Sequence, residues 1–221
     1  MTTPPTRDEG VARLRELGSS VVADALRDIG HPAQTAQHGI RPVGRHHACA
    51  GTVRTAHFEP VADGEGDFLP LAAFIDSARP GDVLVLDSAR DALPGSMWGE
   101  ICSTAATARG AAGVVIDGFM RDELALEAMS LPLFSRGAHS RDFLGRSTVA
   151  DTDVPIEVGG VRVAPGDLVV ADIDGVVFFS SDLLGELLPA CEDKARAEAS
   201  LMAAVSAGGS LHEAVARVGT L

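Results

Sequence analysis

Apolar residues recur at helical spacing near the start of the chain: Val11, Leu14 and Leu17, then Val21, Val22, Leu26 and Ile29. Gly18 breaks the run, so two helices are expected, with Ser19 or Ser20 capping the second and Gly30-His31-Pro32 ending it. Residues 1–7 read as a loose tail. A polar, Gly/Pro-rich loop runs through Arg45, and a strand is expected over 48–56. A helix over 67–78, closed by Pro80-Gly81, precedes a buried strand over 82–87 (DVLVLD). The alternation continues with an Ala/Thr-rich helix over 99–109, a strand over 113–117, a helix near 122–129 and a short strand over 131–134. Strands that alternate with helices in this way predict a parallel α/β layer.

Beyond that point the pattern changes. Residues 135–153 read as a long polar loop carrying Arg136, Arg141 and Arg146. Residues 154–163 resemble a hairpin around Gly159-Gly160, and strands over 167–172 and 176–179 are separated by the turn signal Asp174-Gly175. Residues 183–205 form one long helical pattern, interrupted near Pro189. The expected organisation is an α/β domain over 1–180 followed by a helical extension over 181–221.

Composition narrows the function. With 221 residues, 46% of them hydrophobic, the chain can bury a sizeable core, and with 4% aromatics and no Tyr that core must be mostly Val, Leu, Ile and Ala. A formal charge of −13 argues against nucleic acid and against anionic membranes as partners. No apolar run approaches the ~20 residues of a membrane span, and the stretch MTTPPTRDEG lacks a signal peptide's apolar segment. Cys49, Cys102 and Cys191 have neither zinc spacing nor a disulfide framework, so a cytoplasmic protein with free thiols is expected.

The stretch 99–122, GEICSTAATARGAAGVVIDGFMRD, is the most informative one. A helix opened by Gly99 offers free N–H groups to an anion. After the strand comes Arg121, whose fork can clamp a carboxylate, and beside it Asp122, which can hold a divalent metal. Glu100, in the first helical turn, reads equally as a helix-stabilising charge and as a catalytic base. His46 and His47 would point to opposite faces of a strand and cannot chelate together. Cys102 has no His nearby in sequence and reads as a packed side chain, and Asp172-Ile173-Asp174-Gly175 reads as a hairpin turn rather than a calcium loop.

At these residues the chain resembles the class II pyruvate aldolases of the 4-hydroxy-4-methyl-2-oxoglutarate aldolase type, which share a fold with the regulators of ribonuclease activity A (the RraA-like family). The resemblance spans nearly the whole chain. It is carried by 22–26 (VADAL), 79–85 (RPGDVLV), 111–122 with its VVIDG and Arg121-Asp122, Arg136-Gly137, and 165–172 through Asp174-Gly175-Val176-Val177. It implies a swivelling β/β/α domain assembled as a trimer or a dimer of trimers. It places substrate-binding backbone amides at Gly99, Glu100, Ile101 and Cys102, the substrate-clamping arginine at Arg121, and the ligand of a magnesium or manganese ion at Asp122. An acidic residue of the C-terminal helix, here Glu198, reaches a neighbouring subunit's site in the longer members. The lysine common in the loop after Arg-Gly is absent, and Arg141 and Arg146 stand in that region; His139 stands where Ser or Thr is common.

The activity implied is metal-dependent retro-aldol cleavage of a 4-hydroxy-2-oxo acid to pyruvate, with oxaloacetate decarboxylation as a side activity. The metal would act as a Lewis acid, and Glu100 and Glu198 would orient the water that passes protons. The alternatives are a non-catalytic binding protein like the ribonuclease regulators, which tend to lack the helix carrying Glu198, and a related lyase acting in a specialised pathway.

Overall fold

The structure, a computed structural model, describes residues 5–37, 39–62, 64–88 and 95–218. Helices α1 (Arg7–Leu17) and α2 (Ser19–Asp28) come first, then strands β1 (Arg41–Pro42) and β2 (Cys49–Pro60), helix α3 (Leu69–Asp76), and strands β3 (Asp82–Asp87) and β4 (Ser96–Trp98). Helix α4 (Glu100–Ala108) leads to β5 (Gly113–Asp117), β6 (Phe119–Met120), α5 (Glu123–Ala128), β7 (Leu133–Ser135) and β8 (Gly137–Ala138). The remainder is β9 (Ser147–Thr152), β10 (Ile156–Val158), β11 (Val161–Val163), β12 (Leu168–Ala171), β13 (Val176–Phe179), a 3-10 turn, and helices α6 (Leu184–Ser206) and α7 (Leu211–Val218).

The main sheet has the order β1-β7-β5-β3-β2-β12-β13, with β9 also on β2. Its centre, β7-β5-β3-β2, is parallel, as the strand-helix alternation requires; β1, β9, β12 and β13 add antiparallel pairs, so the sheet is mixed. Every residue of β3 is buried because both faces of the sheet are covered. Leu84, Leu86, Val114 and Ile116 face helices α3, α4 and α5. Val83, Val85 and Val115 face the opposite way, toward Ile156, Val158, Val161 and Val163 of the β10-β11 hairpin. Helices α1, α2 and α6 cover the outer strands through Leu14, Leu26, Leu168, Val170, Leu187 and Cys191. The result is hairpin, sheet and helices in three layers.

Several expectations need correction. Thr6 and Glu9 form a capping box, with the Glu9 N–H donating to Thr6 Oγ1 (3.3 Å) and the Thr6 N–H to Glu9 Oε2 (2.8 Å), so the tail ends at α1 from Arg7 rather than running to it loosely. Residues 1–4 of that expected tail lie outside the described residues. Ser19 does not cap α2; it is the first helical residue, and its N–H and hydroxyl both donate to Asp172 (2.7 and 2.6 Å). A carboxylate from the β12-β13 turn therefore serves as the cap. The expected polar loop over 135–153 contains β8 and β9, the latter paired with the far half of β2. His46 and His47 sit in a turn, not on a strand, and the buried His47 accepts at Nδ1 from the N–H groups of Gly44 and Leu133 (3.2 and 3.1 Å). Pro189 does not interrupt α6, which is continuous from Leu184 to Ser206. Pro189 falls in the second turn, where only the Gly185 carbonyl loses its partner.

Helix α6 packs first on its own chain: Leu187, Leu188 and Cys191 are buried against α1 and α2. Farther along, Met202 and Val205 are exposed.

Candidate active site

Three short parallel strands end at one place. Strands β4, β6 and β8 pair in that order, with Ser96 opposite Phe119 and Phe119 opposite Gly137. Strand β4 runs into Gly99, β6 into Arg121-Asp122 and β8 into His139. The expected turn directly after β5 is thus a second strand, and it is this small ribbon whose C-terminal ends present the site.

Gly99 precedes α4 with extended dihedrals (φ −165°, ψ −167°). A Cβ there would lie 2.7 Å from Asp122 Oδ2 and 3.2 Å from Arg121 Cγ, so close approach is what requires glycine. Asp122 adopts the left-handed conformation (φ 64°, ψ 35°), which aspartate tolerates better than most residues, and its Oδ2 accepts from the Glu100 N–H (3.1 Å). It therefore caps α4 from across the ribbon. Among the described residues no carbonyl or carboxylate oxygen meets the N–H groups of Ile101 and Cys102, which remain for an anion.

The Arg121 Nε lies 3.8 Å from Asp122 Oδ2 and its Nη1 lies 3.4 Å from Asp142 Oδ2. The three side chains are 38–42% exposed, so these pairs contribute about 0–1 kcal/mol each and do not explain the arrangement as a stability device. Burial pushes the Cys102 thiol up to about 11, so at neutral pH it is protonated and inert, and only its backbone is available to a ligand.

Gly99, Ile101, Cys102, Arg121 and Asp122 line one cleft. Glu100 contributes its N–H to the Asp122 cap, while its side chain is exposed. Glu198 is not among the cleft-lining residues; it lies on α6, which packs on α1, α2 and α7 of the same chain. Arg146 donates to the Asp142 carbonyl, and Arg141 is exposed and does not line the cleft. Sequence reasoning missed Asp142, Phe68, Phe143 and Leu144, which complete the cleft wall. The available signal was Phe143-Leu144, an apolar pair inside an otherwise polar stretch. The cleft holds about 60 Å³, far below the ~300–1,000 Å³ of sites that bury a small ligand, so the described residues of one chain do not enclose one.

A divalent cation fits what the residues offer. Asp122 Oδ1 accepts no hydrogen bond among the described residues, and magnesium is commonly held by one or two carboxylates with water completing the shell. Among the described residues no three His, Cys, Asp or Glu side chains converge to form a protein cage.

Comparison with known proteins adds to this geometry. The RraA-like family description, Aldolase/RraA, matches residues 19–178. A protein of Halalkalibacterium halodurans named "Putative 4-hydroxy-4-methyl-2-oxoglutarate aldolase" is 32% identical over 169 residues, which is 75% of this chain and 74% of that protein. The crystal structure of an uncharacterized protein from Pseudomonas syringae superposes with a TM-score of 0.83 at 27% identity, covering 96% of this chain and 99% of that one. Streptomyces coelicolor RraAS2, described as an unusual member of the RNase ES inhibitor RraA protein family, superposes with a TM-score of 0.78 at 27% identity, covering 86% of this chain and 94% of that one.

Proposed function

The chain belongs to the RraA-like (Aldolase/RraA) family, and from that premise and the cleft's geometry we propose that it cleaves a 4-hydroxy-2-oxo acid to pyruvate with a divalent metal, magnesium or manganese, held by Asp122. The observation that carries this reading is the convergence of Arg121, Asp122 and the open N–H groups of Ile101 and Cys102 on one cleft. When bound, the metal would supply Lewis-acid polarisation of the 2-oxo group. The N–H groups at the start of α4 hold the substrate carboxylate. Glu100, through water, takes the proton of the C4 hydroxyl. The C3–C4 bond then breaks, its electron pair passes into the enolate of pyruvate, and the C4 fragment leaves as a carbonyl compound. Arg121 neutralises the charge that develops on the enolate oxygen, and a proton returned to C3 completes the product. Oxaloacetate reaches the same enolate by losing carbon dioxide, so its decarboxylation is the expected side activity.

The reading predicts that two substitutions fail differently. Asp122→Ala weakens the metal, so steady-state rates rise again as magnesium is titrated upward. Glu100→Gln slows aldol cleavage, which deprotonates a hydroxyl, more than decarboxylation, which does not. Equal slowing of both reactions at unchanged magnesium affinity would remove Glu100 from the base role.

Glu198, which does not line its own cleft, serves a neighbouring copy in this reading, and the active species is a homo-oligomer, a trimer or a dimer of trimers. The small cleft and the exposed Ile101 at its rim support that assembly. A fully active monomer in sedimentation velocity at assay concentration would refute it. The alternative, a non-catalytic regulator, draws support from the likeness to RraAS2. Proteins on one fold can differ in this way.

A further inference from the structure

The cleft has two unlike sides. On one stand Arg121, Asp122 and the start of α4; the other is built from Phe68, Phe143, Leu144 and Ile101. The apolar side is a packed wall. Phe143 is buried, stacks with Phe68 (centroids 6.3 Å apart, planes at 26°) and meets Phe58 edge-on (5.2 Å, 89°). Leu144 and Ile101 are exposed at its rim.

Charge on the cleft is equally one-sided. Arg121 is the only basic side chain among the described residues that line it, against the carboxylates of Asp122 and Asp142. Asp142 is held in place by the Leu144 N–H, which donates to its Oδ1 (3.2 Å), and by Arg146, whose Nη2 bonds its carbonyl and lies 3.5 Å from Oδ1. The guanidinium of Arg146 is thereby engaged outside the cleft, and Asp142 Oδ2 faces Arg121 Nη1 at 3.4 Å. One carboxylate of a substrate can take Arg121 and the α4 amides. A second carboxylate would meet Asp142 or the aromatic wall, the groups that bound the cleft on the side away from the α4 amides.

We propose that this site selects 4-hydroxy-2-oxo acids whose C4 substituent is an alkyl or aryl group over those whose C4 carries a second carboxylate, with Asp142, Phe143 and Leu144 as the discriminating residues. The inference rests on the aldolase reading above. It sets this chain apart from the dicarboxylate substrate in the name of its Halalkalibacterium halodurans relative. Oxaloacetate is a special case. Its C4 carboxylate departs as neutral carbon dioxide, so repulsion by Asp142 opposes binding but is relieved in the transition state, and a high KM with an intact kcat is expected.

The test measures pyruvate release by the full-length protein with magnesium from 4-hydroxy-2-oxo-4-phenylbutanoate, 4-hydroxy-2-oxopentanoate and 4-hydroxy-2-oxoglutarate. The expected kcat/KM is at least about tenfold higher for the two apolar substrates, since a carboxylate set against apolar and like-charged groups loses far more than one methylene's worth of discrimination. Asp142→Asn and Leu144→Arg should each narrow that ratio, the second by supplying the missing cation at the wall. The ratio is the readout because a general loss of folding or of Arg121 placement lowers all three rates together. Preference for 4-hydroxy-2-oxoglutarate would overturn the inference and leave the aldolase reading standing. A ratio unmoved by both variants would remove Asp142 and Leu144 from the assignment. Failure to release pyruvate from any of the three would overturn the aldolase reading, and this inference with it.

Discussion

Arg121→Ala is expected to lower turnover on an aldol substrate and on oxaloacetate alike, by roughly 10²–10³, the loss typical of one preorganised electrostatic stabiliser. In the proposed mechanism both reactions pass through the enolate of pyruvate, and the guanidinium meets that charge in each. The substitution should leave the fold intact. Arg121 is 40% exposed, and its partners Asp122 and Asp142 are exposed to a similar degree, so the ion pairs lost contribute little stability. Arg121→Lys should recover only part of the rate, because an ammonium keeps the charge but not the planar fork. Steady-state kinetics on both substrates, with a melting curve as the folding control, gives the answer. Near wild-type rates for Arg121→Ala would mean that the cleft is not where the chemistry occurs, and the regulator reading would then be the better one.

The second large effect falls on stability rather than on catalysis. Asp117, at the end of β5, is buried, and its Oδ2 accepts from the Gly159 N–H at 2.7 Å while its Oδ1 pairs with Arg136. One carboxylate thus ties the parallel sheet to the turn of the β10-β11 hairpin and to the strand leading into β8. Asp117→Ala leaves a buried N–H without its acceptor and removes one ion pair of a half-buried guanidinium, at a cost of about 2–4 kcal/mol. For a chain of this size that is a fall of roughly 6–12 °C in melting temperature. Asp117→Asn keeps an oxygen for Gly159 and should cost less. Its neighbour across the sheet, Asp87, is held above the ordinary carboxylate range, first by burial and in smaller part by the Asp117 charge. Losing Asp117 relieves that part, which makes the Asp117→Ala cost smaller than the two broken contacts alone would give. A fall of less than about 2 °C would show that the hairpin is anchored by apolar packing alone.

What was legible in the sequence was local. DVLVLD and GVVID read as strands because every position is apolar or strand-terminal, and both are buried throughout as a sheet covered on two faces demands. The Arg121-Asp122 pair and the glycine-opened helix could be picked out together because each is a short, self-contained signal. What was missed is long-range. β4, β6 and β8 have two or three residues each, too few for any periodicity, and only their mutual pairing makes them strands. β9 reads STVADT, with its outer half exposed, so its composition resembles a loop until β2 supplies a partner. The caps of α2 and α4 come from Asp172 and Asp122, more than twenty positions from the N–H groups they satisfy, so nothing near those helices announces them. Asp142 was missed for the same reason: its meaning depends on Arg121 and Arg146 folding onto it from either side.

The most direct test of the central claim is pyruvate release by the purified protein. The protein is incubated with magnesium and a 4-hydroxy-2-oxo acid, and pyruvate formation is followed through a coupled dehydrogenase, with and without chelator. The account predicts turnover that stops on chelation, returns when magnesium is restored, and is lost in Arg121→Ala. Folded protein that releases no pyruvate from any 4-hydroxy-2-oxo acid or from oxaloacetate, whatever the metal, would contradict it.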